Sequence, residues 1–362
     1  MKIGLHQPLR TGSATVDLRL GYWAMRQRQF HQFDFLQQNR KTTTKLELPN
    51  PRLAGVCGQD RYPNARPQCN VCPLVKPAGM TDVNNPSNLS IHHDSRGPAI
   101  QVRSSRGFEW THLELPVPGL PAALEGLRIL HLSDLHCRNW WDPAYDDLIA
   151  RLKSSPPDMI LFTGDFVESK HDSRPAVPVV KRLLAQLPSR LGIFAILGNH
   201  DGDLVGPRLA DCGITFLDHR RIYLAEGNAS AAESGDSKAT VELIGLTGVD
   251  RFDLDRPWVR TLGVKQPGTL RIVMCHYPDI LPKVADLAPD LYLTGHTHGG
   301  QMALPGGTPI MRHDTLPRQL CTGIHRAFGT VLVVNRGFGF TTPLMVRLFC
   351  PTEVVEITVR SG

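Results

Sequence analysis

Five short apolar segments of this chain each end next to a polar side chain that can bind a metal ion. Residues 127–132, 159–162, 193–197, 270–274 and 291–293 have the length and apolar character of buried strands. The polar residues that follow them are Asp134 and His136, Asp165, Asn199 with His200 and Asp201, His276, and His296 with His298. Ligand sites in open α/β sheets lie at the carboxyl ends of strands. We therefore expect these side chains to meet in one crevice.

Each of these motifs alone has an ordinary structural interpretation. Asp134 in Asp-Leu-His is typical of a turn with a capping carboxylate, and Asn-His-Asp at Asn199 would make an Asx turn. His296 and His298 alone fit the polar edge of a hairpin. These separate interpretations do not explain why all five motifs occur in order, each at a strand end. The pattern as a whole favours a metal site.

The donor types indicate which metals such a site would hold. A mixture of Asp, Asn and His donors suits Mn, Fe, Zn, Ni or Mg better than a soft thiolate site would. Two divalent ions about 3.5–4 Å apart can hold both the attacking and the leaving oxygen of an in-line displacement. Asp165 lies alone between two groups of ligands and is the expected bridging carboxylate.

The order of apolar segments predicts the architecture. Strands alternate with helices early in the chain, where a helix is expected after Asp142-Pro143 and another over residues 176–187. Residues 100–103 and 108–115 alternate like edge strands, and residues 225–239 are expected to form a hairpin loop. A further helix is predicted over residues 280–287, and strand follows strand near the end. This order favours an α/β protein with two sheets flanked by helices.

The ordered motifs resemble those of the calcineurin-like metallophosphoesterases, over about residues 125–345. The string GHTHGGQ at residues 295–301, with Asn335-Arg336-Gly337 and Arg347-Leu348-Phe349, is similar to the YaeI/YkuE-like bacterial phosphodiesterase subgroup. The resemblance implies a four-layer α/β/β/α sandwich of two mixed sheets flanked by helices, which we assign to residues 96–362.

The resemblance also implies a role for each motif residue. One divalent ion would take Asp134, His136, Asp165 and His298, and a second would take Asp165, Asn199, His276 and His296. His200 would face the phosphate without binding metal, oriented by Asp201 or a neighbouring carboxylate. Glu168 stands where the family often has an Asp, three residues after the Gly-Asp motif, and is a candidate for supporting the ligands from outside.

The expected function is a binuclear metal-dependent phosphoesterase. A hydroxide bridging the ions would attack phosphorus in a phosphodiester or pyrophosphate, with a lipid-linked substrate as one option. One alternative is a pyrophosphatase of the UDP-2,3-diacylglucosamine type, acting on a lipid precursor. Another is a scaffold that has kept the fold without catalysis; the presence of all seven ligands and His200 disfavours it.

The charge of the chain is unevenly distributed. The formal net charge of +6 comes from residues 1–110, which carry +8, whereas residues 111–362 carry −2. The basic part lacks the Lys/Arg runs and aromatic platforms of a nucleic-acid-binding module, so no nucleic-acid partner is expected. Residues 1–95 are Pro-rich and without periodicity, and we predict a disordered extension.

Targeting signals and cysteines add little. The sequence has neither an apolar run of membrane-spanning length nor a secretory signal, so a cytoplasmic protein is expected, with peripheral membrane contact left open. Cys57, Cys69 and Cys72 are interpreted as an incidental cluster, with a zinc site as the minority alternative. Trp140 and Trp141, just after the first motif, fit either a lip facing substrate or lipid, or packing under a loop.

Overall fold

The first of two large sheets contains the strands that lead into three of the motifs. In this computed structural model, which describes residues 89–225, 240–248, 252–312 and 314–362, the sheet has seven strands. They are β1 (Ser90–Ser95), β3 (Glu109–Val117), β4 (Arg128–Leu132), β5 (Met159–Thr163), β6 (Gly192–Ile196), β7 (Ile214–Phe216) and β15 (Glu353–Ser361), in the order β1-β3-β15-β4-β5-β6-β7. Strands β4 to β7 are parallel, so their carboxyl ends share one edge.

The second sheet has six strands and carries the other two motifs. They are β8 (Arg220–Ala225), β9 (Thr240–Gly245), β10 (Thr269–Met274), β11 (Leu291–Thr294), β12 (Gly323–Ala327) and β13 (Thr330–Val334), in the order β12-β13-β11-β10-β9-β8. The four central strands are parallel, and β8 and β12 pair antiparallel at the edges. A separate two-stranded sheet pairs β2 (Ile100–Val102) with β14 (Val346–Leu348).

Three clusters of buried apolar residues lie between the layers of the sandwich. The layer between the sheets contains aliphatic residues of both, such as Ile129 and Leu161 from the first and Ile272 and Leu291 from the second. The outer face of the first sheet packs against α1 (Ala144–Ser154), α2 (Val177–Leu184) and α3 (Val205–Leu209). The outer face of the second packs against α4 (Phe252–Val259) and α5 (Leu281–Val284). The predicted four-layer α/β/β/α architecture is confirmed.

Helix α1 shows how local sequence produces one of these layers. Tyr145, Leu148, Ile149 and Leu152 recur at helical spacing and are buried on one face. The Asp142 carboxylate accepts the Ala144 backbone N–H at 3.0 Å, as expected for a residue that caps the start of a helix.

None of the helices among the described residues is long and apolar enough to cross a membrane.

The structure differs from the sequence predictions in several elements. Strand β3 is internal rather than at an edge, because β1 pairs with it over Ser90–Ser95, a stretch that the sequence placed in the extension. The helix predicted over residues 280–287 is broken into one α turn between two 3-10 turns, and Pro282 lies in its first turn. Residues 1–88, the cysteine cluster and the predicted loop tip at 226–239 lie outside the described residues. The boundary of the domain stays a prediction.

Candidate metal centre

Five loops at the carboxyl ends of the parallel strands carry the predicted ligands. Strands β4, β5 and β6 of the first sheet lead into three of them, and β10 and β11 of the second sheet lead into two. Five of the residues have positive φ angles, namely Asp134, His136, Asp165, His296 and His298. Residues other than glycine rarely adopt a backbone conformation with positive φ, and residues that do so cluster at functional sites. The chain therefore turns sharply at each of these points.

One half of the cluster combines the loops after β4 and β11. His136 Nε2 lies 3.0 Å from His298 Nε2. Asp134 Oδ1 lies 3.2 Å from His298 Nε2 and 3.7 Å from His136 Nε2. All three side chains are buried. Three donor atoms from both sheets thus point at one small volume.

The other half combines the loops after β6, β10 and β11. Asn199 Oδ1 lies 3.1 Å from His276 Nε2 and 3.1 Å from His296 Nδ1. Asp165 joins the two halves, because its Oδ2 lies 3.3 Å from His276 Nε2 and 3.5 Å from His136 Nε2. The structure therefore brings all seven predicted ligands into one cluster, with Asp165 in the middle.

The donor set fits divalent cations. Ligands held about 2.1 Å from one ion lie about 3.0–3.5 Å from each other, which matches the spacing of these atoms. Two imidazole nitrogens at 3.0 Å, His136 Nε2 and His298 Nε2, can share at most one proton between them. A cation between them would satisfy both lone pairs. The side chains already present in the cluster are therefore sufficient to hold metal ions.

Partners behind the rings select which nitrogen faces the cluster. His276 Nδ1 donates to the Thr163 carbonyl at 2.6 Å, and His136 Nδ1 lies 2.7 Å from the Glu168 carboxylate. Protonation at Nδ1 leaves Nε2 of each ring with its lone pair directed inward. Outer partners of this kind orient metal-binding histidines and fix their tautomer.

His298 has a different neighbour, the fully buried guanidinium of Arg347. Arg347 Nη2 lies 3.1 Å from His298 Nδ1, but it also donates at 2.7 Å to the carbonyls of Arg336 and Gly339. Because Nη2 has only two hydrogens, the two carbonyls account for both. The guanidinium therefore packs against the His298 ring, but it does not fix which ring nitrogen carries the proton.

Burial and neighbouring charges set the protonation of the cluster. Burial favours the neutral form of Asp134 and Asp165, but His298 and His276 beside them hold both pKa values below their usual range. Burial lowers the pKa of His296 to about 3 and the pKa of His298 to about 4. Against the effect of burial, the neighbouring carboxylates raise the pKa of His276 to about 9 and the pKa of His136 to about 10, so a cation in the cluster would take the place of protons on these two rings.

Two glycines allow the loops to approach this closely. A Cβ atom at Gly198 would overlap the Asp165 carboxylate, and a Cβ atom at Gly295 would overlap Asp134 and Ser133. Both glycines directly precede ligand-bearing positions in their motifs. They are required by close approach of side chain to backbone rather than by backbone flexibility.

His200 lies beside the cluster. A ring nitrogen of His200 lies within 4.8 Å of ligand atoms of His136 and Asp165. Its backbone N–H donates to Asp165 Oδ1 at 2.7 Å, and its Nδ1 donates to the Glu168 carbonyl at 2.6 Å. The ring is therefore held by a backbone carbonyl, with Nε2 as its remaining nitrogen.

Asp201 has a different role from the expected one. Asp201 or a neighbouring carboxylate was expected to orient His200, but the two oxygens of Asp201 accept four backbone N–H groups. These come from Asp165 at 2.8 Å, Phe166 at 2.7 Å, Val167 at 3.2 Å and Gly198 at 2.9 Å. Asp201 fastens the loop after β5 to the loop after β6. Short-range sequence motifs contain no signal for such a contact between loops.

Glu168 supports the site through two different groups. Its carbonyl holds His200, and its carboxylate contacts His136, Arg138 at 3.2 Å and the Thr342 hydroxyl at 2.7 Å. These contacts lower the pKa of Glu168 to about 2, against the opposing effect of burial. The sequence had singled out Glu168 from its spacing after Asp165. Arg347 had been noticed only as part of a motif, since nothing in the sequence indicates that it packs behind His298.

Comparison with known proteins agrees with the site. Residues 127–300 match the family model of the calcineurin-like phosphoesterases. The chain belongs to this family and is a metal-dependent phosphoesterase.

Several relatives are bacterial. The uncharacterized metallophosphoesterase YkuE of Bacillus subtilis is 30% identical over 250 residues, covering 67% of this chain and 82% of that protein. The phosphodiesterase YaeI of Escherichia coli is 31% identical over 240 residues, covering 64% and 81%. The UDP-2,3-diacylglucosamine pyrophosphatase LpxG of Chlamydia muridarum is 28% identical over 291 residues, covering 67% and 87%.

The role of Asp201 can be tested by Asp201→Asn. The amide would turn an NH2 group toward two of the four backbone N–H groups, and each N–H left without an acceptor costs about 1–3 kcal/mol. We expect a lower free energy of unfolding in denaturant titrations with chelator present. The exposed Asp286→Asn serves as the control. An unchanged unfolding midpoint for Asp201→Asn would show that these contacts do not hold the loops.

Proposed function

We propose that this protein hydrolyses phosphodiesters or pyrophosphates with two divalent metal ions. One observation carries the proposal: a single carboxylate oxygen of Asp165 lies within 3.5 Å of ring nitrogens from both halves of the donor cluster. A carboxylate in that position is suited to join two neighbouring cations. The calcineurin-like family and the phosphodiesterase relative YaeI support the same class of reaction.

Under this proposal the ligands divide at Asp165. Asp134, His136, Asp165 and His298 hold one ion, and Asp165, Asn199, His276 and His296 hold the other. The chemistry of the donors suits Mn, Fe, Zn, Ni or Mg. Bound ions of this kind lower the pKa of water toward neutrality and stabilise the charge on a phosphoryl group.

His200 serves the leaving group rather than the metals. The Glu168 carbonyl accepts its Nδ1 proton, so the ring is fixed with Nε2 available to the substrate. A proton donated from Nε2 to the departing oxygen neutralises the charge that develops there. Asp165 also accepts the His200 backbone N–H, so the position of His200 is tied to that of the bridging carboxylate.

A lipid-linked pyrophosphate is the second candidate substrate. By its name, the relative LpxG acts on UDP-2,3-diacylglucosamine, a diacylated nucleotide sugar. Trp140 is 40% exposed, and it lines the same pocket as His136 with Arg138 5.4 Å from its ring centroid. Trp141, in contrast, packs edge-on against Tyr145. Only the first of the two tryptophans is therefore placed to touch an apolar part of a substrate.

Metal analysis combined with diester hydrolysis tests the proposed function. We expect the purified protein to bind two divalent ions per chain and to hydrolyse bis-p-nitrophenyl phosphate faster than p-nitrophenyl phosphate. Asp165→Ala and His296→Ala should each remove ligands, lower the bound metal and abolish turnover. Asp286→Ala and His325→Ala, which lie outside the cluster, are the matched controls.

The outcomes separate the alternatives. A protein that takes up no divalent metal, or that shows no turnover with added Mn, would contradict the catalytic proposal. Metal binding without turnover on any diester or pyrophosphate would favour a non-catalytic scaffold. Hydrolysis of UDP-2,3-diacylglucosamine in preference to the nitrophenyl diester would support the lipid-linked substrate.

The proposed role of His200 predicts a specific kinetic effect. His200→Asn should leave the metal content unchanged while lowering kcat by about 10²–10⁴-fold on a diester with an alkyl leaving group. The loss should be much smaller for p-nitrophenolate, which leaves readily without a proton. Equal losses on both diesters, or a loss of bound metal, would rule out the acid role.

The support given by Glu168 predicts a change in metal affinity. Glu168→Gln removes the negative charge 2.7 Å from His136 Nδ1, and its single oxygen cannot face both His136 and the two Thr342 donors. We expect Mn²⁺ affinity to fall by about 10–100-fold, as for other partners of metal-binding histidines, in competition titrations with a chelator. The exposed Glu125→Gln is the control. Unchanged affinity would mean that His136 is held by packing alone.

A further inference from the structure

The small sheet formed by β2 and β14 has its apolar side facing outward. Gln101 and Arg347 point into the protein and are 4% and 0% exposed. Their neighbours Ile100 and Val102 are 60% and 56% exposed. A strand normally buries its apolar side and exposes its polar side, so this sheet is reversed. The reversal places aliphatic side chains in solvent where no fold requirement calls for them.

The register of the sheet makes these side chains one continuous surface. Ile100 pairs with Leu348, and Val102 pairs with Val346. Leu344 and Phe349 flank β14 in sequence and are 52% and 36% exposed. Val346 and Leu348 are half-buried. We call the five aliphatic residues of this surface the aliphatic platform, namely Ile100, Val102, Leu344, Val346 and Leu348, and Phe349 follows it in sequence. Contiguous exposed apolar surface of this kind marks interaction sites.

The segments that carry the platform contain positive charge only, and two acidic residues of α1 and its start contact them: Asp142 accepts from the Ser104 hydroxyl, and Asp147 lies 4.0 Å from Arg106. Three segments form and flank the sheet. Residues 96–107 contain β2, residues 339–352 contain β14, and residues 299–312 contain Met302, which forms a β-bridge with Leu348. Together they have five arginines and no aspartate, glutamate or lysine. Arg347 is buried, whereas Arg96, Arg103, Arg106 and Arg312 are exposed. Guanidinium groups beside an apolar surface match phosphate headgroups above acyl chains.

The platform is joined directly to the metal centre. Arg347, between two platform residues, packs behind His298 with 3.1 Å between Nη2 and Nδ1. On the other side, Arg103 and Met345 line the same pocket as His136 and Trp140. A molecule resting on the platform would therefore have the mouth of the site within reach of its headgroup.

We propose that the protein docks on anionic lipid bilayers through the aliphatic platform, with Arg103 and the neighbouring exposed arginines on the headgroups. Shallow burial of aliphatic side chains combined with attraction to anionic lipids is sufficient for peripheral binding. The arrangement orients the metal centre toward phosphoester groups at the membrane surface. The proposal concerns binding, and it holds or fails independently of the hydrolytic activity.

Vesicle flotation of the full chain tests the proposal. We expect binding to vesicles of phosphatidylcholine with phosphatidylglycerol, weaker binding to phosphatidylcholine alone, and loss of binding at high salt. Ile100→Asp/Val102→Asp should lower the vesicle partition coefficient by at least about tenfold. Arg103→Glu should lower it by about fivefold or more. The matched control is Leu254→Asp/Val264→Asp, whose side chains are 64% and 82% exposed away from the platform.

Turnover of a soluble diester and solution mass provide the other readouts. The Ile100→Asp/Val102→Asp variant should hydrolyse the soluble diester at the wild-type rate, which shows that its fold and site are intact. Vesicle binding equal to that of wild type in this variant, or no vesicle binding by wild type, would overturn the proposal. A wild-type dimer that the variant converts to monomer, without any effect of lipid, would assign the platform to a second copy instead and also overturn it.

Discussion

The carboxylate of Asp201 is the interaction on which the geometry of the site depends. By accepting N–H groups from three consecutive residues after β5 and one after β6, it closes two loops into one rigid unit. Asp165 begins that unit, and its own carboxylate reaches His276 on the second sheet. A buried polar group with all its bonds satisfied specifies one conformation strongly. The position of the central carboxylate therefore follows from a residue that contacts the backbone N–H of Asp165.

Where the loops of the two sheets meet, buried carboxylates and imidazole rings lie in an unusual electrostatic arrangement. Asp134 and Asp165 are buried beside imidazole rings. Hydrogen bonds within the protein satisfy these rings poorly, since a nitrogen of His136 faces a nitrogen of His298. Several of these residues also adopt a left-handed backbone, which costs about 1–3 kcal/mol at each strained position. Such a site is stable only because the surrounding sandwich is large and well packed. It is built for cation binding at the expense of local stability.

The sequence predicted the parts of the site that are set by strand ends, and it missed the parts set by contacts between distant loops. A donor after each apolar run predicts convergence because parallel strands share an edge, and all seven predicted ligands lie together there. The sequence pointed to Asp201 but not to its four backbone partners, since these depend on how two loops pack. The edge position predicted for β3 was wrong for a related reason. A short polar strand such as β1 has no apolar pattern, and only pairing with β3 defines it.

Strand β14 shows how one residue can connect the metal centre to the outer surface. Arg347 must lie inward, because its guanidinium satisfies the carbonyls of Arg336 and Gly339 behind His298. Side chains alternate along a strand, so an inward Arg347 forces Val346 and Leu348 outward. Pairing with β2 then imposes the same reversal on Ile100 and Val102. The outward direction of these positions is thus a geometric consequence of supporting His298 from this strand, whereas their apolar identity is not. Apolar residues at outward positions are favourable where a partner covers them, and the surrounding arginines fit an anionic lipid surface.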